Sequence, residues 1–286
     1  MELKAPKVFK THVEQLEILK ERGLYIEDAD EALLILKRIN YYRLTGYMLF
    51  MKKNDEFYPG SSFGQAVRMY EFDEKLRRIL LGVVEYIEVS FRAKLAYYFS
   101  ETHEPLGYQN SENFEFEEAH QEFMSYLKDK ITKSRELFVM HHKKQYGSQL
   151  PLWVAVELFT MGMLSKFYKN MKTEDQKVIA KNVFGINPGV LSQNLQSITI
   201  LRNTCAHYSR VYNKKFSAGG VKLPSKIKNS LNKDKLAAFF YIFKNMLPEI
   251  EWRRFFNAFN VLVDEYDDVV KYEHMGFYDG WQDHIN

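Results

Sequence analysis

The chain predicts an all-α fold, on three observations. Glycine and proline are scarce, 14 and 7 in 286 residues, whereas folds built from many strands spend both on turns. Apolar residues recur at steps of three and four over long stretches. Hydrophobic residues make up 46% and charged residues 27%, with 22 Phe and 19 Tyr, the balance of a folded globular chain. The length suits one large domain or two modest ones, each able to bury a core.

The elements follow in order. Residues 10–22 carry Val13, Leu16 and Leu19 at helical spacing and stop at Gly23. Residues 30–39 carry Leu33, Leu34 and Leu36, and lead into the aromatic cluster Tyr41, Tyr42 and Tyr47. A polar loop with Pro59-Gly60 spans residues 52–62, and the domain boundary is placed there: an N-terminal helical region over 1–60 and a larger helical domain over 61–286. Residues 63–100 read as one long or broken helix, with Tyr70, Leu76, Leu80, Val83, Ile87 and Phe91 on its apolar side. Residues 120–146 and 152–171 give two more, the second opening after Pro151. Residues 173–183 give a shorter helix, with Thr173 as N-cap and Gln176 three residues on. Asn187-Pro188 reads as N-cap and first-turn proline. The helix after it, residues 188–212, has an apolar stripe at Leu191, Leu195, Ile198, Leu201, Cys205, Tyr208 and Tyr212. Residues 235–246 and 249–266 complete about nine helices.

Composition also excludes function classes. No apolar run approaches the roughly 18 to 20 residues that span a bilayer. Residues 1–7 lack the apolar core of a signal peptide. The single cysteine, Cys205, rules out an intrachain disulfide and a thiolate metal cluster. A cytoplasmic location, no membrane partner, no metal and no cofactor are expected. The net charge of +3 neither demands nor excludes a nucleic-acid partner.

The chemistry concentrates in Leu201-Arg202-Asn203-Thr204-Cys205-Ala206-His207-Tyr208-Ser209-Arg210-Val211-Tyr212-Asn213. An imidazole moves a proton near neutral pH. A guanidinium holds a phosphate and offsets transition-state charge. On an ideal helix Asn203, His207, Arg210 and Lys214 form one polar stripe, and Arg202, Ala206, Ser209 and Asn213 the next. Arg202 and His207 stand about 140° apart at roughly 100° per residue, so they border a cleft from two sides. The stretch holds no acidic residue to pair its cations, and an unpaired basic face attracts an anion. The plain alternative is an amphipathic helix whose exposed side happens to be basic.

Arg202-Asn203-x-x-Ala206-His207 resembles the R-x4-6-H motif of HEPN ribonucleases, and RNTCAHYSRVYN is similar to the signature of the Abi-like abortive-infection proteins (the AbiD/AbiF group). Residues 39–47 (INYYRLTGY), 69–78 (MYEFDEKLRR), 85–92 (EYIEVSFR) and 150–165 (LPLWVAVELFTMGMLS) resemble segments of that family in the same order. The resemblance covers most of residues 10–216. It implies a HEPN-like helical bundle with additional N-terminal helices, in a bacterial anti-phage protein that cleaves RNA without metal. Members also resemble the HEPN parts of type VI CRISPR effector nucleases. HEPN sites are typically composite across a dimer, so a homodimer is expected. Carried over, Arg202 and His207 are the catalytic pair and Asn203 their polar support; Arg210 and Asn213 match the string with roles in RNA binding. Some HEPN toxins carry a tyrosine two residues after the histidine, which a partner enzyme modifies. Here Ser209 stands there and Tyr208 comes one residue early, so that regulation is not expected.

Other features carry less. Arg135 to His141 also fits the spacing, with five residues between, but the intervening residues are mostly large and apolar, and coincidence is the preferred reading. His141-His142 then cap a helix end near Lys143-Lys144. Residues 213–235 hold seven lysines and one aspartate; Lys214, Lys215 and Lys222 are assigned to RNA backbone contacts in a mobile basic loop, where each lysine releases counterions. Tyr41-Tyr42 and Tyr97-Tyr98-Phe99 read as core rather than base-stacking platforms. Glu85, Glu88 and Arg92 are spaced to pair on a helix. The acidic end, residues 264–283, reads as a solvated or partner-facing tail. The rival to a nuclease is a non-catalytic RNA-binding or sensor protein, which a structured regulatory RNA would engage; a helical scaffold without RNA is the third reading.

Overall fold

The computed structural model describes residues 8–216, 220–227 and 229–285, without the side chain of His284. Residues 1–7, on which the signal-peptide reading rests, and residues 217–219 and 228 of the basic loop lie outside the described residues. The fold is all-α. In chain order it comprises α1 (His12–Glu21), α2 (Ala29–Arg38), α3 (Tyr41–Thr45), the antiparallel strands β1 (Lys52–Lys53) and β2 (Glu56–Phe57), α4 (Phe63–His103), α5 (Glu117–Lys133), α6 (Leu137–Tyr146), α7 (Leu152–Ala155), α8 (Met161–Asn170), α9 (Thr173–Lys177), α10 (Pro188–Ala206), α11 (Ala237–Met246), α12 (Glu249–Glu265), α13 (Tyr272–Met275) and α14 (Gln282–Ile285). No helix among the described residues is long and apolar enough to cross a membrane.

The chain forms two compact units, one of residues up to Leu76 with Asn260–Lys271, the other of Arg77–Phe259 with the residues from Tyr272 onward. The division falls inside α4, where nothing in the sequence interrupts the helix. The loop at 52–62 lies within the first unit, where it folds into the β1–β2 ribbon. Its two turn residues, Asn54 and Asp55, have φ of +52° and +66°, the left-handed pair that a two-residue hairpin requires.

In the first unit, α1 starts with a capping box between Thr11 and Glu14, and Asp28 caps α2 by accepting from the Asp30 and Glu31 amides. The buried Tyr47 hydroxyl donates to Oδ2 of Asp73 at 2.6 Å. The acidic run is not a solvated tail here: Asp268 takes two hydrogen bonds from Arg68, and Glu265 pairs with Lys75. Both cations also lie over the ring of Tyr266, at 4.8 and 4.9 Å, which is itself buried.

In the second unit, Leu80, Val84, Ile87, Phe91, Leu95 and Phe99 of α4 are all buried, and α10 packs principally on α8. Residues 120–146 are two helices rather than one. Ser134 and Glu136 turn extended, and Ser134 Oγ accepts from the Glu136 amide at 3.2 Å; a serine can satisfy the backbone locally in this way without any Gly or Pro signal. Residues 152–171 likewise divide at the extended Phe159, and Thr160 caps α8. Lys172, not Thr173, is the N-cap of α9, and Gln176 instead bonds the carbonyls of Lys169 and Met171. The end of the chain packs inward: Met275, Phe277, Trp281 and Ile285 are buried, and Phe240 meets Trp252, Phe255, Phe259, Phe277 and Trp281. The tail reading is thus corrected over both parts of the acidic run, because aromatic residues between the acids anchor it.

Candidate functional site

The site is built on α10. Asn187 accepts from the Gly189 amide at 2.9 Å and Pro188 opens the helix, as the sequence predicts. Leu191, Leu195, Ile198, Leu201 and Cys205 are buried, each burial contributing about 1.5–3 kcal/mol for a full aliphatic side chain. This apolar side fixes the helix and turns its other side outward.

The helix ends six residues earlier than the stripe predicts, at Ala206 rather than Tyr212. The end is a Schellman motif: Tyr208 N–H donates to Cys205 O at 3.0 Å and Ser209 N–H to Thr204 O at 2.9 Å. That closure needs a left-handed residue, and Tyr208 supplies it with φ +57°, where glycine is usual. Tyr208 is therefore 69% exposed instead of joining the core. Tyr212 is buried, but beyond the helix, with its hydroxyl 2.8 Å from His274 Nδ1.

This end places the motif side chains. Arg202 is on the last turn and partly exposed; Asn203 and His207 are exposed. His207 is the C-cap, with φ −92° and ψ 15°, and its amide donates to the Asn203 carbonyl. The imidazole makes no hydrogen bond or ion pair with any described residue, which leaves it available to a ligand. The basic face is not free of acid, however. Glu88 of α4 lies close enough to feel Arg202. Burial raises the Glu88 carboxyl above its ordinary value and Glu85 adds to this, while Arg92 and Arg202 pull it back. Glu88 accepts from Arg92 at 2.9 Å, as the helical spacing predicts, and Arg92 also reaches Glu157 and the Phe159 carbonyl. The sequence misses the approach of Glu88 to Arg202 because 114 positions separate them and no local pattern links the two.

The downstream residues form part of a folded loop. Asn213 has φ +53°, and its Oδ1 accepts from Lys235 Nζ at 2.6 Å. Lys214 stacks its ammonium 5.8 Å from the Phe216 ring. Lys215 and Lys222 are exposed. Val221, Leu223, Ile227 and Leu231 are buried, so the described part of the loop is packed rather than a free arm. The signal was present in the sequence, since those apolar residues alternate with the lysines.

The second R-x-H string does not form a helical pair. Arg135 lies in the connection between α5 and α6, whereas His141 is on α6, exposed, beside the rings of His142 and Tyr146. His142 accepts no cap role; its Nδ1 is 2.9 Å from the Phe138 carbonyl one turn back, and Gly147 terminates the helix. Tyr42 and Tyr97 are exposed at 86% and 64%, unlike the buried Phe99, which corrects the reading of those clusters as core. Two features had no sequence signal: a His103–Asp175 pair at 2.8 Å, and a groove of about 1050 Å³ between α5 and α8, lined by Phe116, Phe123, Tyr126, Met163 and Phe167 with Lys166 at its edge. Neither includes a residue of the 201–213 string. Among the described residues no group of three or more His, Cys, Asp or Glu is placed to hold a metal ion.

Comparison with known proteins gives one match. A family model described as Abi-like protein matches residues 34–213, which takes in Arg202, Asn203, His207, Arg210 and Asn213 and stops short of the lysines that follow. No curated protein and no solved structure matches the chain.

Proposed function

The chain belongs to the Abi-like family, and from that premise we propose that it acts in anti-phage abortive infection as a metal-independent endoribonuclease of HEPN type. The observation that carries the reading is the end of α10: a guanidinium on the last turn and, at the cap, an exposed imidazole without a protein partner among the described residues. An idle imidazole and a guanidinium at one helix end supply the base and the anion-binding group for cleaving a phosphodiester through its own 2′-hydroxyl. His207 takes the proton from the 2′-hydroxyl; the oxygen attacks the adjacent phosphorus, and a 2′,3′-cyclic phosphate forms as the 5′-oxygen leaves. Arg202 stabilises the charge on the phosphorane. The leaving oxygen needs a proton from a second acid. A homodimer supplies it as the partner copy's imidazole, so the active species is expected to be dimeric. Asn203 orients the pair, and Arg210, Lys214 and Lys215 hold the flanking backbone.

The test is cleavage of an RNA by the purified protein, with end analysis of the products. The reading requires 2′,3′-cyclic phosphate ends, activity in EDTA, and no cut where the sugar is 2′-deoxy. Cleavage of DNA, or activity lost to EDTA and restored by magnesium, overturns it. Light scattering of the active species tests the dimer: full activity in a monomer removes the composite site.

A further inference from the structure

Two chain segments that follow the motif helix are fastened together into one basic surface. Phe216 N–H donates to Asp234 O at 2.7 Å and Val221 N–H to Lys233 O at 3.2 Å, so Phe216 and Val221 are held against residues 233–234. Lys235 completes the closure. Its ammonium donates to Asn213 Oδ1 at 2.6 Å, and lies 3.5 Å from the Asn213 carbonyl and 3.4 Å from that of His274. All three acceptors are neutral oxygens. Gly276 permits this approach: a Cβ there would stand 2.3 Å from Lys235 Cβ. The one acid of the segment, Asp234, has its carboxylate against Gly220. Burial lowers the Lys235 ammonium below its ordinary value, and the charges of Arg210 and Lys215 lower it further. Three cations are thus gathered in one place, with Lys235 held by neutral oxygens.

We propose that Arg210, Lys215 and Lys235 form a phosphate-binding subsite, separate from the Arg202–His207 pair, that grips the backbone of a single-stranded RNA beside the position of cleavage. This rests on the ribonuclease reading for its substrate and adds to Arg210 of the motif string two lysines from beyond it, of which Lys235 comes from a separate segment. Lys235 is the fixed cation at the base: its short bond to Asn213 orients it, and its two longer contacts yield to a phosphate oxygen. Arg210 and the exposed Lys215 close on the phosphate from the rim. A bound phosphate offsets the repulsion that Arg210 and Lys215 exert on Lys235, and the bond to Asn213 holds that lysine in place before the RNA arrives.

The test uses the full chain carrying His207→Ala, so that the RNA survives, and a fluorescein-labelled single-stranded RNA titrated by anisotropy across a salt series. Lys215→Gln and Lys235→Gln are compared with the parent and with Lys144→Gln, a lysine exposed on α6. Each of the first two is expected to flatten the slope of log affinity against log salt by ~0.7, the single-strand value per phosphate contact. A fourfold rise in salt then costs each variant about 2.6-fold less binding than the parent. Lys144→Gln keeps the parent slope. Thermal melting separates a folding effect: a Lys235→Gln loss that is equal at every salt and accompanied by a lower melting temperature overturns the subsite. Unchanged slopes in both variants also overturn it, while the ribonuclease reading stands if the wild type cleaves. Flattened slopes with a wild type that never cleaves support the subsite and sink the nuclease instead. A parent that binds no RNA ends both.

Discussion

Two stretches of this chain carry an arginine and a histidine at the same kind of spacing, and the fold treats them differently. Arg202 and His207 share one helix end, backed by the buried Leu201 and Cys205. Arg135 and His141 are split between a connection and a helix, and the residue between them at the helix start, Leu137, is 87% exposed. Spacing therefore selects neither. What separates them is a buried apolar side on the same helix, which fixes the direction of every polar side chain opposite. On the proposed reading, a short R-x-H string can serve as a site where packing has already taken up the helix's other face.

The largest expected effect breaks or sustains that comparison directly. His207→Ala is expected to lower RNA cleavage by ~10²–10⁴-fold, the range for a general acid–base group, and His141→Ala to leave it unchanged, both read as initial rates on one RNA. Equal losses in the two variants would make the packing distinction irrelevant to function. Next comes the support itself. Leu201 is 0% exposed, so Leu201→Ala is expected to cost about 2–5 kcal/mol of stability. Leu137→Ala is expected to stay within ~0.5 kcal/mol of wild type, with urea unfolding as the measurement. Arg202→Ala follows, expected to weaken binding of a non-cleavable 2′-deoxy-substituted RNA by the ~1.5–3 kcal/mol of a charge-assisted hydrogen bond, whereas Arg135→Ala leaves it within threefold. If Glu88 already saturates Arg202, that binding does not change, and the guanidinium acts only in the transition state.

The start of the motif helix was legible and its end was not. Asn187-Pro188 states a cap and a first turn in residue types that have few other uses there. The end has no such residue. The stripe runs on through Tyr208 and Tyr212 at helical steps, and a tyrosine is the last side chain that sequence reasoning assigns to a left-handed position. Tyr212 satisfied the stripe for another reason, by reaching His274, 62 positions away. The same blindness joined α5 to α6, where a serine and not a glycine breaks the helix. It also hid the approach of Glu88 to Arg202 and of Lys235 to Asn213, since each comes from another part of the chain. The lysines were visible as charge, but not the fact that the segment bearing them folds back on the motif. The acidic end misled in the other direction: its charge count suggested a tail, while Tyr266, Phe277 and Trp281 decided that it packs.

The smallest expected effect concerns how the two helices stop. α6 ends on Gly147 with φ +60°, and nothing lies within 4 Å of where a Cβ would stand. α10 reaches nearly the same backbone conformation at Tyr208, φ +57°. A left-handed L-residue costs about 1–2 kcal/mol, and glycine returns part of that through its greater freedom in the unfolded chain. Exchanging the two chemistries should then move stability in opposite directions. Gly147→Ala is expected to destabilise by about 1 kcal/mol purely through the backbone, since there is no side-chain clash to add. Tyr208→Gly is expected to stabilise by about 1 kcal/mol, because the ring is 69% exposed and little burial is lost. Cleavage by Tyr208→Gly is the informative readout. A more stable protein with unchanged activity makes the tyrosine a neutral choice at a helix end. A more stable protein with slower cleavage means that the ring beside His207 contacts the RNA, and that the chain keeps a strained residue there because a glycine cannot.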